Sequence, residues 1–177
     1  MLTTFAILFV VTGCGNLSKL GTIDIFSLSQ YDRTGWEFVR ASSATADNPG
    51  RYIIDNDLET FWHSTTSFMP TLPHWLIVDM KTSQSVFKFD IYRRVNWEDT
   101  RAVELYLSDS PDPNGSWTKI GEGAFPSGAA GRKESLLSVF TTDNVTKGRY
   151  FKLMFPNGRP DSAIPYVSIT EVYLYYR

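Results

Sequence analysis

Residues 53–64 contain the side chains of this sequence that are best suited to holding a metal ion. Asp55 and Asp57 flank Asn56, a residue type that tolerates the positive φ of a tight turn. Such a turn would direct both carboxylates to one point, and the hydroxyl of Thr60 follows closely in sequence. Carboxylates and hydroxyls are the hard oxygen ligands that Ca²⁺ prefers. The alternative is an ordinary surface turn in which the same aspartates cap the backbone.

The chain around this stretch consists of short apolar runs separated by turn-forming residues, which is the pattern of a β protein. The clearest runs cover residues 74–80, 86–93, 102–108, 149–155 and 166–176. Roughly eight or more strands follow one another about every ten to fifteen residues, and no segment predicts a helix of three turns. We therefore predict an all-β fold, an antiparallel β-sandwich with the jelly roll among its candidate forms.

The charges of the chain are nearly balanced. Its 177 residues include 19 acidic and 17 basic side chains, which gives a formal net charge of −2. This balance provides no electrostatic reason to expect nucleic acid or an anionic membrane surface as a partner. The length that remains after removal of a leader suits one domain with one core. We expect a monomer without a nucleic-acid partner.

The first residues predict export. Residues 1–13 are too short an apolar segment to span a bilayer, but they have the character of a signal peptide's hydrophobic region. Val-Thr-Gly-Cys at 11–14 resembles a bacterial lipobox, in which cleavage precedes the cysteine and the thiol carries diacylglycerol. Cys14 is the only cysteine, so no intrachain disulfide is possible. We expect a lipid anchor at the bacterial outer membrane or cell surface; a buried N-terminal strand with an incidental cysteine is the alternative.

Three regions follow from these observations. Residues 1–13 are the predicted lipoprotein signal peptide, and residues 14–31 are a tether with a short lead-in strand. Residues 32–177 are the predicted globular domain. Contact with the membrane is expected only through the anchor.

Six motifs of the globular domain occur in an order that resembles the F5/8 type C, or discoidin, family. They are Ile-Asp-Asn-Asp at 54–57, Thr-Phe-Trp-His at 60–63, Trp-Leu-Ile-Val-Asp-Met at 75–80, Glu-Leu-Tyr-Leu-Ser at 104–108, Arg-Tyr-Phe-Lys-Leu at 149–153 and Ile-Thr-Glu-Val at 169–172. The resemblance is strongest to the bacterial branch called family 32 carbohydrate-binding modules. It implies a galactose-binding-domain-like jelly-roll β-sandwich.

The resemblance also implies a structural Ca²⁺ beside the aspartate loop. The ligands carried over by position are the side chains of Asp55, Asp57, Thr60 and Glu171 and the carbonyl groups of Tyr52 and Thr170. Loop chemistry alone could not have selected Glu171, which lies at the other end of the domain. The family usually has glycine where this chain has Asn56, and asparagine is the next best residue at positive φ.

A glycan site in the loops at one end of the sandwich is a further implication of the resemblance. In such a site a ring stacks on the sugar, while planar or charged side chains bind vicinal hydroxyls. The matching residues in this chain are His63, Arg93, Asn96 and Tyr166. The implied ligand is a galactose-, amino-sugar- or mannose-type glycan.

The expected glycan site departs from the family pattern at one position, and at another position two adjacent arginines compete for one role. The stacking tryptophan that often follows His63 is missing, so Phe68 or Trp97 would replace it. Arg93 and Arg94 are adjacent, and neighbouring residues of a strand point to opposite faces. Only one of them can face the ligand, and we expect it to be Arg93.

The sequence favours a non-catalytic binding protein. It contains no nucleophile elbow, no His-rich metal set and no Cys/His pair. Asp55 and Asp57 are too close in sequence for a glycosidase acid–base pair. The alternative function is a discoidin-type adhesion module that binds protein or lipid, with Phe68 and Met69 as the apolar side chains inserted into the partner.

Overall fold

The computed structural model describes residues 27–64, 72–94, 100–125, 135–157 and 166–177. Within these ranges the chain forms two antiparallel five-stranded sheets and one short 3-10 helix, Gly50–Ile54. The strands are β1 (Ser29–Gln30), β2 (Glu37–Ala41), β3 (Trp62–His63), β4 (His74–Ser85), β5 (Lys88–Arg93), β6 (Ala102–Ser108), β7 (Thr118–Ala124), β8 (Ser135–Phe140), β9 (Lys147–Phe155) and β10 (Ser168–Tyr176). This architecture confirms the predicted all-β sandwich.

The two sheets have different strand orders. One sheet runs β1-β10-β5-β8, with β3 pairing the start of β10, and the other runs β2-β4-β9-β6-β7. Many neighbours are distant in sequence, so the sheets are built from non-local pairings. Within the described ranges, no helix has the length and apolar character needed to cross a membrane.

Hydrophobic alternation accounts for the strands and for the position of the core. On β6 the buried residues Val103, Leu105 and Leu107 alternate with half-buried polar or small residues. Side chains of a strand alternate between faces, so this pattern places one face against the other sheet. Strand β4 is different, since residues 76–80 are buried at consecutive positions. It lies between β2 and β9, and residues 76–80 are buried on both of its faces.

Aromatic side chains fill much of the space between the sheets. Trp62, Phe151 and Phe155 are fully buried. The ring centroids of Trp62 and Phe155 are 5.7 Å apart, and those of Trp36 and Phe151 are 5.8 Å apart. Burying one such side chain stabilises the fold by about 1.5–3 kcal/mol. Trp62 therefore fixes β3, and with it the neighbouring His63, to the core.

The start of β10 is paired on both sides. Ser168 and Ile169 are the partners of His63 and Trp62 on β3, and Ile169 is also the partner of Arg93 on β5. Directly opposed residues of a sheet share a face. Trp62, Ile169 and Arg93 are all buried and occupy the core face. His63 and Ser168 consequently lie on the outer face.

A bidentate ion pair joins β4 to β9 on the outer side of the second sheet. Nε and Nη2 of Arg149 donate to the carboxylate of Asp79 at 2.9 and 2.8 Å. The backbone N–H of Lys81 donates to the same carboxylate at 2.7 Å. These hydrogen bonds hold the pKa of Asp79 at about 2, and the bond from Arg149 has the largest effect. Burial acts in the opposite direction and raises the pKa.

We predict that Asp79→Asn lowers the free energy of unfolding by about 2 kcal/mol near neutral pH, because a shift of roughly two pKa units corresponds to about 2.7 kcal/mol and solvent screening at the exposed Arg149 reduces it. The folded-state pKa lies below the ordinary value of 3.8. The contribution is therefore complete above the ordinary pKa and is lost as the pH falls through about 2. Urea unfolding at two pH values measures it.

The matched control is Asp47→Asn, which removes an exposed carboxylate from the loop after β2. This variant should unfold like the parent. A destabilisation by Asp79→Asn that stays constant down to about pH 2 would contradict the assignment, because protonation of Asp79 should abolish the difference.

Candidate functional site

The aspartate loop follows the 3-10 helix and has the predicted backbone. The φ of Asn56 is 65°, in the left-handed region. The backbone N–H of Asp57 donates to Oδ1 of Asp55 at 3.0 Å, and the N–H of Glu59 donates to Oδ1 of Asp57 at 2.9 Å. The two aspartates thus cap the loop from within, as in Asx turns.

Several oxygen atoms of this loop nevertheless converge. The hydroxyl of Thr60 donates to Oδ2 of Asp55 at 2.8 Å and lies 3.0 Å from the main-chain carbonyl oxygen of Asp57. The carboxylate of Asp57 is directed towards the backbone of Glu59. The main-chain carbonyl oxygen of Asp57 therefore joins the converging oxygens, in addition to the side chain that the sequence predicted as a ligand.

Glu171 lies beside this loop and is fully buried. The backbone N–H of Asn56 donates to its Oε1 at 2.6 Å, and Nη1 of Arg33 donates to its Oε2. Arg33 also binds the carbonyl oxygen of Val172 at 2.8 Å. Burial, with a smaller contribution from the adjacent carboxyl of Asp55, raises the pKa of Glu171 to about 7 against the lowering effects of Arg33 and the N–H of Asn56.

The chemistry of these donors fits Ca²⁺ better than a softer metal. Among the described residues no three Asp, Glu, His or Cys side chains form a metal cluster. The set consists instead of two carboxylates, Asp55 and Glu171, with the hydroxyl of Thr60 and the carbonyl of Asp57. Such all-oxygen sets suit a hard cation. A carboxylate has about four acceptor positions, so the contacts of Arg33 and Asn56 do not exhaust Glu171.

The carbonyl ligands expected from the resemblance lie on the elements that flank this loop. Tyr52 is half-buried on the 3-10 helix, which leads directly into the loop. Thr170 precedes Glu171 on β10, and its hydroxyl donates to the carbonyl oxygen of Tyr92 at 2.9 Å. Both residues therefore lie on the elements that position the converging oxygens.

A second group of side chains lies on the outer face where β3, β5 and β10 meet. We call it the ring array, and it consists of Phe61, His63, Arg94 and Tyr166. The rings of His63 and Tyr166 are stacked with centroids 5.0 Å apart, and those of Phe61 and His63 are 6.3 Å apart edge to face. The guanidinium of Arg94 lies 4.1 Å from the centroid of Phe61.

The hydrogen bond of His63 defines what its ring can offer a ligand. Nδ1 contacts the carbonyl oxygen of Ser64, and a carbonyl can only accept. Nδ1 therefore carries the proton, and in the neutral ring Nε2 is an acceptor. His63 is 8% exposed and Tyr166 is half-buried, so only a small part of each ring is open to a ligand.

Arg93 occupies the opposite face of β5. It is 2% exposed, its Nη1 donates to the carbonyl oxygen of Thr100 at 2.9 Å, and its guanidinium lies 4.8 Å from the ring centroid of Phe125. The sequence predicted Arg93 as the arginine that faces the ligand. The structure places Arg94 on the side of His63 instead, because Phe89, Ile91 and Arg93 continue one buried face of the strand.

Buried hydrogen bonds fix the ends of the loops around the ring array. The N–H of Ser64 donates to the carbonyl oxygen of Val167, and the N–H of Val167 donates to Oγ of Ser64, both at 2.9 Å. The hydroxyl of Thr100 binds the carbonyl oxygen of Ser168 at 3.1 Å and accepts from the N–H of Ser168 at 3.2 Å. These bonds hold three chain segments at fixed spacing.

Some of the predicted site residues are brought together and others lie outside the described ranges. His63 and Tyr166 are in contact, as the resemblance implied. Phe68, Met69, Asn96 and Trp97, together with Cys14, lie outside the described residues. Phe61 and Arg94 were not selected from the sequence. Core-facing and outward side chains alternate along β5 from Phe89, and continuing this alternation could have identified Arg94 as the outward arginine.

The two-sheet sandwich has the fold of solved family 32 carbohydrate-binding modules. The chain superimposes on the family 32 module of Clostridium perfringens NanJ in complex with galactose, with a TM-score of 0.66 and 19% identity over 84% of this chain and 99% of that chain. It also superimposes on CpGH89CBM32-5 from Clostridium perfringens in complex with GalNAc-β-1,3-galactose, with a TM-score of 0.67 and 22% identity over 82% of this chain and 99% of that chain.

The sequence comparison identifies the family. The model of the F5/8 type C domain matches residues 38–172, and the chain belongs to this family. It is also 31% identical over 121 residues to a galactose oxidase of Gibberella zeae. That match covers 58% of this chain and 18% of the oxidase, so the chain spans less than a fifth of this curated relative. The galactose-binding-like sandwich predicted from the motifs is confirmed.

We predict that Arg93→Ala destabilises the fold more than Arg94→Ala does. Arg93 loses buried packing and a hydrogen bond to Thr100, which together should lower the free energy of unfolding by about 2–4 kcal/mol. Arg94 loses a surface contact with Phe61, which should cost about 0.5–1 kcal/mol. Urea denaturation of the two variants measures both values. Equal destabilisation, or a larger effect of Arg94→Ala, would contradict the assignment of faces.

Proposed function

We propose that this protein is a non-catalytic carbohydrate-binding module that recognises glycan through the ring array. The observation that carries the proposal is the close grouping of one guanidinium, one imidazole and two aromatic rings at one end of the sandwich. This is the mixture that a sugar requires, because a pyranose presents both an apolar ring face and paired hydroxyls.

Each member of the array has a distinct role in this proposal. Nε2 of His63 accepts a hydrogen bond from one hydroxyl, and the guanidinium of Arg94 donates to an adjacent pair of hydroxyl oxygens. Phe61 contacts the face of that guanidinium. The N–H groups of arginine lie in the guanidinium plane, so its hydrogen bonds run in that plane and not through the face that contacts Phe61. Tyr166 offers part of its ring to the sugar.

Galactose-type and amino-sugar ligands are the leading candidates. The two superimposed modules contain galactose and GalNAc-β-1,3-galactose, and both share the architecture of this chain. Mannose-type glycans remain part of the test, because guanidinium and imidazole groups recognise paired hydroxyls of more than one sugar. One sugar buries little area, so we expect dissociation constants of about 0.1–1 mM for a single sugar.

We predict that the soluble domain, residues 27–177, binds galactose- or N-acetylgalactosamine-terminated probes on a glycan array. His63→Ala and Arg94→Ala should each weaken binding about tenfold or more, since each removes a hydrogen-bonding group from the ligand. Arg40→Ala is the matched control, because Arg40 is exposed on β2 and contacts Trp75 instead of the ring array. It should bind like the parent.

Binding that is unchanged in His63→Ala and Arg94→Ala would contradict the assignment to the ring array. Failure to bind any galactose-, amino-sugar- or mannose-type probe would favour the discoidin-type adhesion alternative. Titration with lipid vesicles and candidate protein surfaces would then test that alternative.

We also propose a structural Ca²⁺ held by the carboxylates of Asp55 and Glu171, the hydroxyl of Thr60 and main-chain carbonyls of the loop. When bound, the ion would supply positive charge to two adjacent carboxyl groups. The residues themselves tie the loop after the 3-10 helix to β10, through the contacts of Glu171 with Asn56 and Arg33.

The calcium proposal predicts that millimolar Ca²⁺ raises Tm by roughly 5 °C relative to EDTA, because an ion that binds only the folded state stabilises it by mass action. Asp55→Asn should abolish most of this difference. Glu59→Gln is the matched control, since it removes an exposed carboxylate of the same loop. Identical Tm values in EDTA and Ca²⁺, with no metal by elemental analysis, would exclude the site.

We further propose that the protein is anchored to the bacterial outer membrane or cell surface by lipid on Cys14, after removal of residues 1–13. The apolar segment followed by Gly-Cys supports this proposal. Two or three acyl chains would give firm attachment. Cys14→Ala expressed in a bacterial host should move from the membrane fraction to the soluble fraction. Equal membrane retention of parent and variant would contradict lipidation.

A further inference from the structure

A surface groove of about 510 Å³ lies between β2 and the 3-10 helix. Two half-buried aromatic side chains, Phe38 and Tyr52, line it together with the charged side chains of Glu37, Arg51 and Asp55. The volume is within the range of small-molecule sites, about 300–1,000 Å³. No member of the ring array lines this groove, so it is a separate surface.

The aromatic wall of the groove depends on a glycine. A Cβ at Gly50 would lie 2.2 Å from Cε2 and 2.4 Å from Cζ of Phe38. Such contacts are impossible, and only glycine lets the ring of Phe38 lie directly against the backbone of the 3-10 helix. The ring therefore packs directly on the backbone of the 3-10 helix.

The charged groups of the groove nearly balance one another. The guanidinium of Arg51 lies 5.3 Å from the ring centroid of Tyr52. Glu37 forms an ion pair with Lys81 at 2.6 Å, which leaves the single charges of Arg51 and Asp55 facing the groove with opposite signs. A strongly charged ligand gains little from such a field. Hydroxyl groups can donate to the carboxylates and accept from the guanidinium.

Two other surface grooves of similar size lack this combination. They measure about 420 and 550 Å³ and lie beside β6 and β7. The described residues that line them include no aromatic side chain. Rings provide the apolar surface on which a sugar packs, and polar groups beside them fix its orientation. Of these three grooves, the one beside the 3-10 helix has both parts.

We propose that this groove is a second glycan-binding site, which takes a neutral monosaccharide or the terminal unit of a neutral oligosaccharide. The sugar packs against Phe38 and Tyr52, and its hydroxyls bind Arg51 and the carboxylate of Glu37. Two weak sites on one domain raise retention on a surface that displays many glycans, because the second contact becomes intramolecular. The inference does not require that the ring array binds sugar.

The test is a titration of the ¹⁵N-labelled domain, residues 27–177, with galactose, N-acetylgalactosamine and mannose in buffer that contains Ca²⁺. At least one sugar should shift the amide signals of Glu37, Gly50 and Tyr52. These shifts should persist in His63→Ala, which removes a member of the ring array. Arg51→Ala should weaken the binding reported by these amides about tenfold, the effect expected for losing a charge-assisted hydrogen bond.

Arg40→Ala is the control for the loss of an exposed arginine and should leave the groove shifts unchanged. Shifts confined to residues around His63 would overturn the second site and leave the proposed function intact. Shifts confined to the groove would support the second site and overturn the role of the ring array. Groove shifts that Arg51→Ala does not weaken, or the absence of groove shifts with all three sugars, would overturn the inference.

Discussion

Backbone pairing on both sides of the start of β10 is the constraint on which the candidate sites depend. Ser168 and Ile169 bind β3 on one side, and Ile169 is opposite Arg93 of β5 on the other. Strands β3 and β5 both end opposite the start of β10, so the loops that follow them begin close together. The register shift that follows Ile169 is of the kind that redirects side chains. Beyond it, Glu171 meets the aspartate loop and Arg33.

This arrangement separates supporting groups from groups that can bind a ligand. On the core side, Arg93 binds the carbonyl of Thr100, and the hydroxyl of Thr100 binds Ser168. On the outer side, Arg94 and His63 contact rings. Rigid support under the ring array reduces the ordering cost of binding, which matters because one sugar buries little area. Substitution of a supporting residue should therefore change the stability of the domain more than it changes contact with the ligand.

Much of the fold could be predicted because strand signals are local. Alternation along residues 102–108 defined β6, and the left-handed φ of Asn56 followed from its residue type. The outward arginine was harder, because a charged residue was not expected to continue the buried face of Phe89 and Ile91. The contact of Phe61 with Arg94 depends on strands on opposite sides of β10. The pairing of Arg33 with Glu171 joins the two ends of the domain, and no local pattern encodes it.

The central claim is that the end of the sandwich where β3, β5 and β10 meet holds a sugar. A crystal structure of the domain with galactose or N-acetylgalactosamine tests it most directly, because it locates the ligand without reliance on variants. The account predicts a sugar within hydrogen-bond distance of Nε2 of His63 and of the guanidinium of Arg94, packed against Tyr166. A sugar bound only elsewhere on the domain, with the ring array in contact with solvent alone, would contradict it.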